Sequence, residues 1–273
     1  MPFAEINGVD LYYEIQGYGE PVLLLHHGFG CVRMWDKIVP RLVEHGYKTI
    51  CYDRKGFGQS EFAGFEDFYV SDQVRPESLS ELESLRHWLG IDSFHIVGQC
   101  EGGVVAADYA SQYPHRVKSM VASSTLCHST VPLTELNASK FTKIFDELDP
   151  DLKEKLISWH GERTERFFNQ FRLYGGAYGR DFFDLRPTLT LVTCPALVLY
   201  PDRSYLFEVE QGIAFYRHLQ LGELAVLPDC GHNTYEEQPE EYVSHITNFL
   251  ARHRFGEKAG QVSKTFRPMT CAG

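Results

Sequence analysis

The chain has 273 residues, 26 Lys plus Arg against 37 Asp plus Glu, and a formal net charge of −11. Its composition, 43% hydrophobic and 23% charged, is that of an ordinary globular protein long enough to bury a core without staples. The acidic balance speaks against a nucleic-acid partner or a polybasic membrane anchor, and no apolar run approaches the length of a spanning helix.

In chain order, Ala4–Asn7 and Leu11–Ile15 read as a hairpin about the Asn7-Gly8 turn. Val22–His26, Lys48–Tyr52, Phe94–Gly98 and Val117–Ser124 are short continuous apolar runs of strand length. Helical patterns separate them at Met34–Glu44, Glu77–Leu89 and Gly102–Tyr113. From Cys127 to Pro187 the rhythm changes to a charged, aromatic, helical stretch. Alternation then resumes: strand Ala196–Tyr200, helix Val209–Leu219, strand Glu223–Leu227 and helix Glu240–His253. This order predicts an α/β fold with a mostly parallel sheet covered on both faces. The core is expected over residues 1–126 and 188–254, with a helical insertion over 127–187 and a polar, flexible tail over 255–273.

The seven cysteines form no C-x-x-C pair. The opening MPFAEINGVD lacks the basic-then-apolar pattern of a secretory leader, so reduced thiols and a cytoplasmic location are expected. One cysteine stands apart, in Val97-Gly98-Gln99-Cys100-Glu101-Gly102-Gly103, where a buried strand meets a helix. This is the G-x-nucleophile-x-G elbow with cysteine as nucleophile. The tight turn lifts the sulfur out of the sheet and sets it at a helix N-terminus, where the macrodipole favours thiolate. The alternative is a structural cysteine on a strand–helix turn.

Two further segments complete a constellation. After the third strand comes His26-His27-Gly28-Phe29-Gly30, whose Phe29 N–H, with that of Glu101, would hold an oxyanion. After the last strand comes Asp229-Cys230-Gly231-His232, which places His232 where a general base is needed. Together with Asp53-Arg54-Lys55-Gly56-Phe57-Gly58-Gln59-Ser60, these segments resemble the α/β-hydrolase superfamily over about Phe3 to His253. The resemblance implies an eight-stranded sheet, a cap built from the insertion, and the order nucleophile, acid, histidine. The acid is assigned to Asp202 in Tyr200-Pro201-Asp202-Arg203-Ser204, although the family's common spacing counts to Ser204.

Cysteine in place of aspartate disfavours alkyl-type chemistry and implies a thioester intermediate. The leading expectation is a Cys-His-Asp hydrolase of a carboxylic ester, lactone or thioester, with a small-molecule acyl substrate of unspecified size. An acyltransferase with an alcohol, amine or thiol acceptor comes second, and a non-catalytic ligand-binding protein third. His27, Cys127, Trp159 and Arg163 are candidate substrate contacts, although aromatic residues at helical spacing also serve simply to pack a helix. No metal-ligand spacing and no Gly-x-Gly-x-x-Gly turn is present, so no cofactor is expected. Glu101 has no evident role beside a thiol whose pKa its charge would raise.

Overall fold

A computed structural model describes residues 2–173 and 176–254, so the tail expected over 255–273 lies outside the described residues. Eight strands form one sheet: β1 (Phe3–Ile6), β2 (Val9–Gln16), β3 (Glu20–Leu25), β4 (Tyr47–Tyr52), β5 (Phe94–Gln99), β6 (Val117–Ser123), β7 (Ala196–Pro201) and β8 (Gly222–Leu227). Their spatial order is β1-β2-β4-β3-β5-β6-β7-β8. Pairs β1–β2 and β2–β4 are antiparallel, and all later pairs are parallel. Asn7 and Gly8 both take positive φ, +53° and +77°, as a tight two-residue hairpin turn requires, and set the register Ile6 opposite Val9.

The helices are α1 (Val39–Glu44), α2 (Phe65–Tyr69), α3 (Val74–Trp88), α4 (Glu101–Gln112), α5 (Leu133–Lys140), α6 (Pro150–His160), α7 (Thr164–Leu173), α8 (Arg186–Leu189), α9 (Val209–His218), α10 (Thr234–Glu237) and α11 (Pro239–Arg252). The single helix expected over Met34–Glu44 is split into a 3-10 turn, Val32–Trp35, and α1. Pro40 fits this break, because it sits in the first turn of α1, where its missing N–H leaves no helical bond to the preceding turn unmade.

Period-2 alternation divides the central strands between two cores. Val22, Leu24, Val97, Val121 and Leu199 face α1 and α11. Leu23, Leu25, Ile96, Ala122 and Val198 face α3, α4 and α9. Burial on both faces is what turned these strands into continuous apolar runs. α11 presents Tyr242, Val243, Ile246, Phe249 and Leu250, one apolar stripe at helical spacing.

Between β6 and β7 the chain leaves the sheet and makes α5 to α8. Its two ends run side by side, with Leu185 N–H on Cys127 O at 2.9 Å, Ser129 N–H on Phe183 O at 2.8 Å, and a bridge between His128 and Asp184. A third aromatic cluster, including Phe29, Phe57, Phe65, Phe167 and Phe168, joins this segment to the loops at the carboxyl ends of β3 and β4. No helix among the described residues is long and apolar enough to cross a membrane.

The elbow is a tight joint between backbones. A Cβ on Gly98 would lie 2.3 Å from Gly102 O, and one on Gly102 would lie 2.3 Å from Leu25 O. Gly98→Ala is therefore expected to destabilise the protein by ~1–3 kcal/mol, as overpacking does. Denaturant midpoints of the variant and parent check this.

Candidate active site

β5 carries the chain straight into Cys100, which takes φ +52° and ψ −115° before α4 begins at Glu101. A non-glycine residue at such φ is strained by ~1–3 kcal/mol and persists only where its surroundings hold it. Here Cys100 N–H donates to Ser123 O at 2.7 Å, and Cys100 O accepts Gly103 N–H at 2.9 Å.

The sulfur is buried. The Tyr178 hydroxyl, from the segment between β6 and β7, donates to Sγ at 3.6 Å. Burial pushes the thiol up to about 12, against the smaller pull of the Tyr178 hydroxyl and the Glu101 N–H. The expectation that a helix N-terminus would favour thiolate is thus outweighed: desolvation is the larger effect, and the Glu101 carboxylate adds to it.

The Glu101 side chain turns away from the sulfur. Its Oε1 accepts the Ala177 N–H and faces Arg54 Nη1 at 3.7 Å, both side chains being fully buried. Arg54 Nη2 reaches His26 O at 3.3 Å and His27 O at 3.4 Å. Elbow, β3 loop and β4 loop are thereby fastened to one ion pair. Gly28 is required where they meet, because a Cβ there would lie 2.3 Å from Glu101 Oε2.

The two expected oxyanion donors differ in state. Glu101 N–H faces the sulfur. Phe29 N–H donates to His27 Nδ1 at 3.1 Å. An accepting Nδ1 leaves the proton on His27 Nε2, which meets the Tyr235 hydroxyl at 3.1 Å. Burial keeps His27 neutral by lowering its pKa well below the usual range.

His232 follows β8. Its carbonyl accepts Gln99 Nε2 and Ser124 Oγ, each at 2.9 Å, and Gly231 N–H is held by Glu237 Oε2 at 2.8 Å. The ring lies between Tyr205 and Phe207, and its Nδ1 meets Ser204 Oγ at 3.1 Å. Desolvation pulls the imidazole down to about 4.

Asp202 does not occupy the acid position. β7 ends at Pro201, and the backbone just after it is tied to the end of β8 and the loop beyond, with Asp202 N–H on Leu227 O at 3.1 Å and Arg203 N–H on Cys230 O at 2.9 Å. Asp202 is thereby held against the loop after β8, and its Oδ1 accepts the Cys230 N–H at 3.1 Å, while Ser204, two residues further on, meets the ring.

Cys100, His232, His27, Phe29 and Trp159 line one cavity of about 150 Å³, roofed by the inserted segment. Among its described lining residues Lys155 carries the single full charge, and its Nζ is held by Glu236 at 2.6 Å and lies 4.9 Å from the Trp159 ring. Two candidates fall elsewhere. Cys127 is sealed in the main core, with its N–H on Gln211 Oε1 at 3.1 Å. Arg163 is turned away by the end of α6 at Gly161, which has φ +66°, and bonds Gly58 O and Ser60 O. Among the described residues, no cluster of three or more His, Cys, Asp or Glu is arranged to hold a metal ion.

Three contributors were not read from the sequence. Tyr178 sits in a stretch with no strand or helix period, Arg54 was read as part of a turn, and Tyr235 lies on the four-residue helix α10. Only their proximity to Cys100 and His27 in space marks them.

Residues 20–177 match the sequence pattern of the alpha/beta hydrolase fold. The chain belongs to that family. It is 34% identical to a proline iminopeptidase of Clostridioides difficile over 55% of this chain and 50% of that protein, so the match spans about half the length of that relative. It is 32% identical to a proline iminopeptidase of Lactobacillus helveticus over 93% of this chain and 97% of that one. In structure it is similar to a meta-cleavage product hydrolase from Pseudomonas fluorescens, with TM-score 0.78, 19% identity, and 92% and 98% of the two chains covered.

With the thiol near 12, thiolate is scarce at neutral pH and its fraction grows tenfold per unit below that value. Alkylation of Cys100 by iodoacetamide should accelerate roughly tenfold per unit between about pH 7 and pH 9, since the thiolate is the nucleophile. Peptide mapping by mass spectrometry reads the rate; a flat profile would contradict a protonated resting thiol.

Proposed function

We propose that the protein is a hydrolase that opens a small, uncharged ester, lactone or thioester through an acyl-cysteine intermediate at Cys100. The carrying observation is the strained Cys100, whose sulfur opens on an apolar cavity shared with His232. Strain of this kind collects at functional sites.

In this reading Cys100 Sγ bonds to the substrate carbonyl carbon, and its proton passes to His232 Nε2 in the tautomer whose ring proton sits on Nδ1. The carbonyl oxygen becomes an oxyanion between the N–H groups of Phe29 and Glu101, displacing the His27 ring from Phe29. Collapse breaks the bond to the leaving group, which takes the proton from His232. Water then attacks the thioester carbon and gives a proton to His232, the C–S bond breaks, the acid leaves, and Sγ takes the proton back from His232.

The cavity suggests the substrate class. Its size is that of a cavity that admits benzene, about 150 Å³. Its described lining holds no carboxylate, so a cationic amine would be desolvated there without a counter-charge. A neutral aryl or short acyl group suits it better than the charged N-terminus of a peptide. The family relatives with hydrolase and peptidase names support bond cleavage at this site, and the inserted helices act as the cap. The apolar lining also gives water few partners, which favours, as a second reading, transfer of the acyl group to an alcohol, amine or thiol.

Intact mass after mixing with aryl esters, lactones and acyl thioesters is expected to rise by one acyl group in the parent and not in Cys100→Ala. Turnover should fall at least about 10³-fold in the variant, as for loss of a catalytic nucleophile. Decay of the adduct with and without added acceptors separates hydrolysis from transfer. Turnover unchanged in Cys100→Ala would overturn the reading, and ligand binding without an adduct in either protein would replace it with a binding role.

A further inference from the structure

Ser204 Oγ has three neighbours. It accepts the N–H of Leu206 at 3.2 Å and the N–H of Phe207 at 3.1 Å, and lies 3.1 Å from His232 Nδ1. A hydroxyl has two acceptor lone pairs and one proton to give. The backbone N–H groups can only donate, so they take both lone pairs. What remains for His232 is the O–H, and Nδ1 must accept it. A neutral imidazole with an accepting Nδ1 carries its proton on Nε2.

We propose that Ser204 is a positioning residue that holds His232 in the Nε2–H tautomer, opposite to the tautomer a carboxylate in that place would impose. Its kinetic consequences rest on the hydrolase reading; the tautomer itself does not. The neighbouring acids do not compensate. Asp202 is committed to the Cys230 N–H and Glu237 to the Gly231 N–H. The other titratable groups beside the ring are Cys100, His27 and Tyr205, none of them a carboxylate. The acids thus hold the backbone of the histidine loop while a hydroxyl holds its ring.

At rest, then, His232 presents a donor to the cavity that Cys100 lines, and a base forms only when the ring changes tautomer. Imposing the wrong tautomer on a triad histidine can cost about 10⁴ in turnover. Ser204 would set the resting site to a neutral thiol beside a neutral imidazole, which suits substrates with good leaving groups.

The test is Ser204→Asp. The new carboxylate can take the same two N–H groups, preserving the turn, but can only accept from the ring. Long-range ¹H–¹⁵N correlations, assigned by their loss in His232→Gln, should show Nε2–H in the parent and Nδ1–H in Ser204→Asp. kcat/KM on an aryl ester should rise on the order of 10- to 100-fold. The carboxylate stabilises the imidazolium, so the ring pKa rises from its present value near 4 and the acid limb of the rate profile moves to higher pH. Ser204→Ala should weaken the Nε2–H preference and leave that limb in place. An Nδ1–H signal in the parent, or Ser204→Ala moving the limb as Ser204→Asp does, overturns the proposal. Nε2–H in a parent that turns over no ester, with Ser204→Asp equally inert, sustains the tautomer assignment and removes the hydrolase reading instead.

Discussion

The site depends on how closely α4 can approach β3 and β5. Gly98 and Gly102 leave no room for a Cβ, and that contact holds Cys100 at a φ an L-residue avoids. A wider turn would let the residue relax and draw the sulfur back toward the sheet. The strain is local, but its support comes from three parallel strands whose burial on both faces makes them hard to displace.

The buried ion pair of Arg54 and Glu101 works on the same joint from the other side. Two charges out of water cost several kcal/mol each unless paired and further hydrogen-bonded. Here the pair draws in the His26 and His27 carbonyls and the Ala177 N–H. It is weak evidence for stability and better evidence for register, since it fixes the position of one loop against another. Glu101 also turns its backbone N–H toward the sulfur while its carboxylate opposes ionisation of the neighbouring thiol. The burial that makes the cavity apolar likewise keeps Cys100 and His232 themselves neutral at rest.

The strands and long helices were legible because they are periodic or continuously apolar over lengths that exclude alternatives. The elbow was legible because glycine on both sides of a nucleophile has a steric cause. Met34–Glu44 misled because its apolar spacing continues through Pro40. Where the Asp202 side chain goes is something pattern cannot carry: it is set by the loop after β8, whose Cys230 N–H it takes. Arg163 failed because Gly161 ends a helix inside an otherwise helical stretch. Tyr178 and Ala177 come from a segment whose fold is set by what it covers, and such contacts have no local signature.

The inserted segment begins and ends as neighbouring chains at Cys127–Ser129 and Phe183–Leu185. Closing a loop whose ends already touch costs little more as the loop lengthens. By that measure the segment is an exchangeable module, able to vary in length without disturbing the sheet. Ala177 and Tyr178 contradict that independence, since one neutralises part of Glu101 and the other touches the sulfur. A foreign segment grafted across the same neck would strip Cys100 of its Tyr178 partner. The roof of the cavity and the surroundings of the Cys100 sulfur are therefore inherited together.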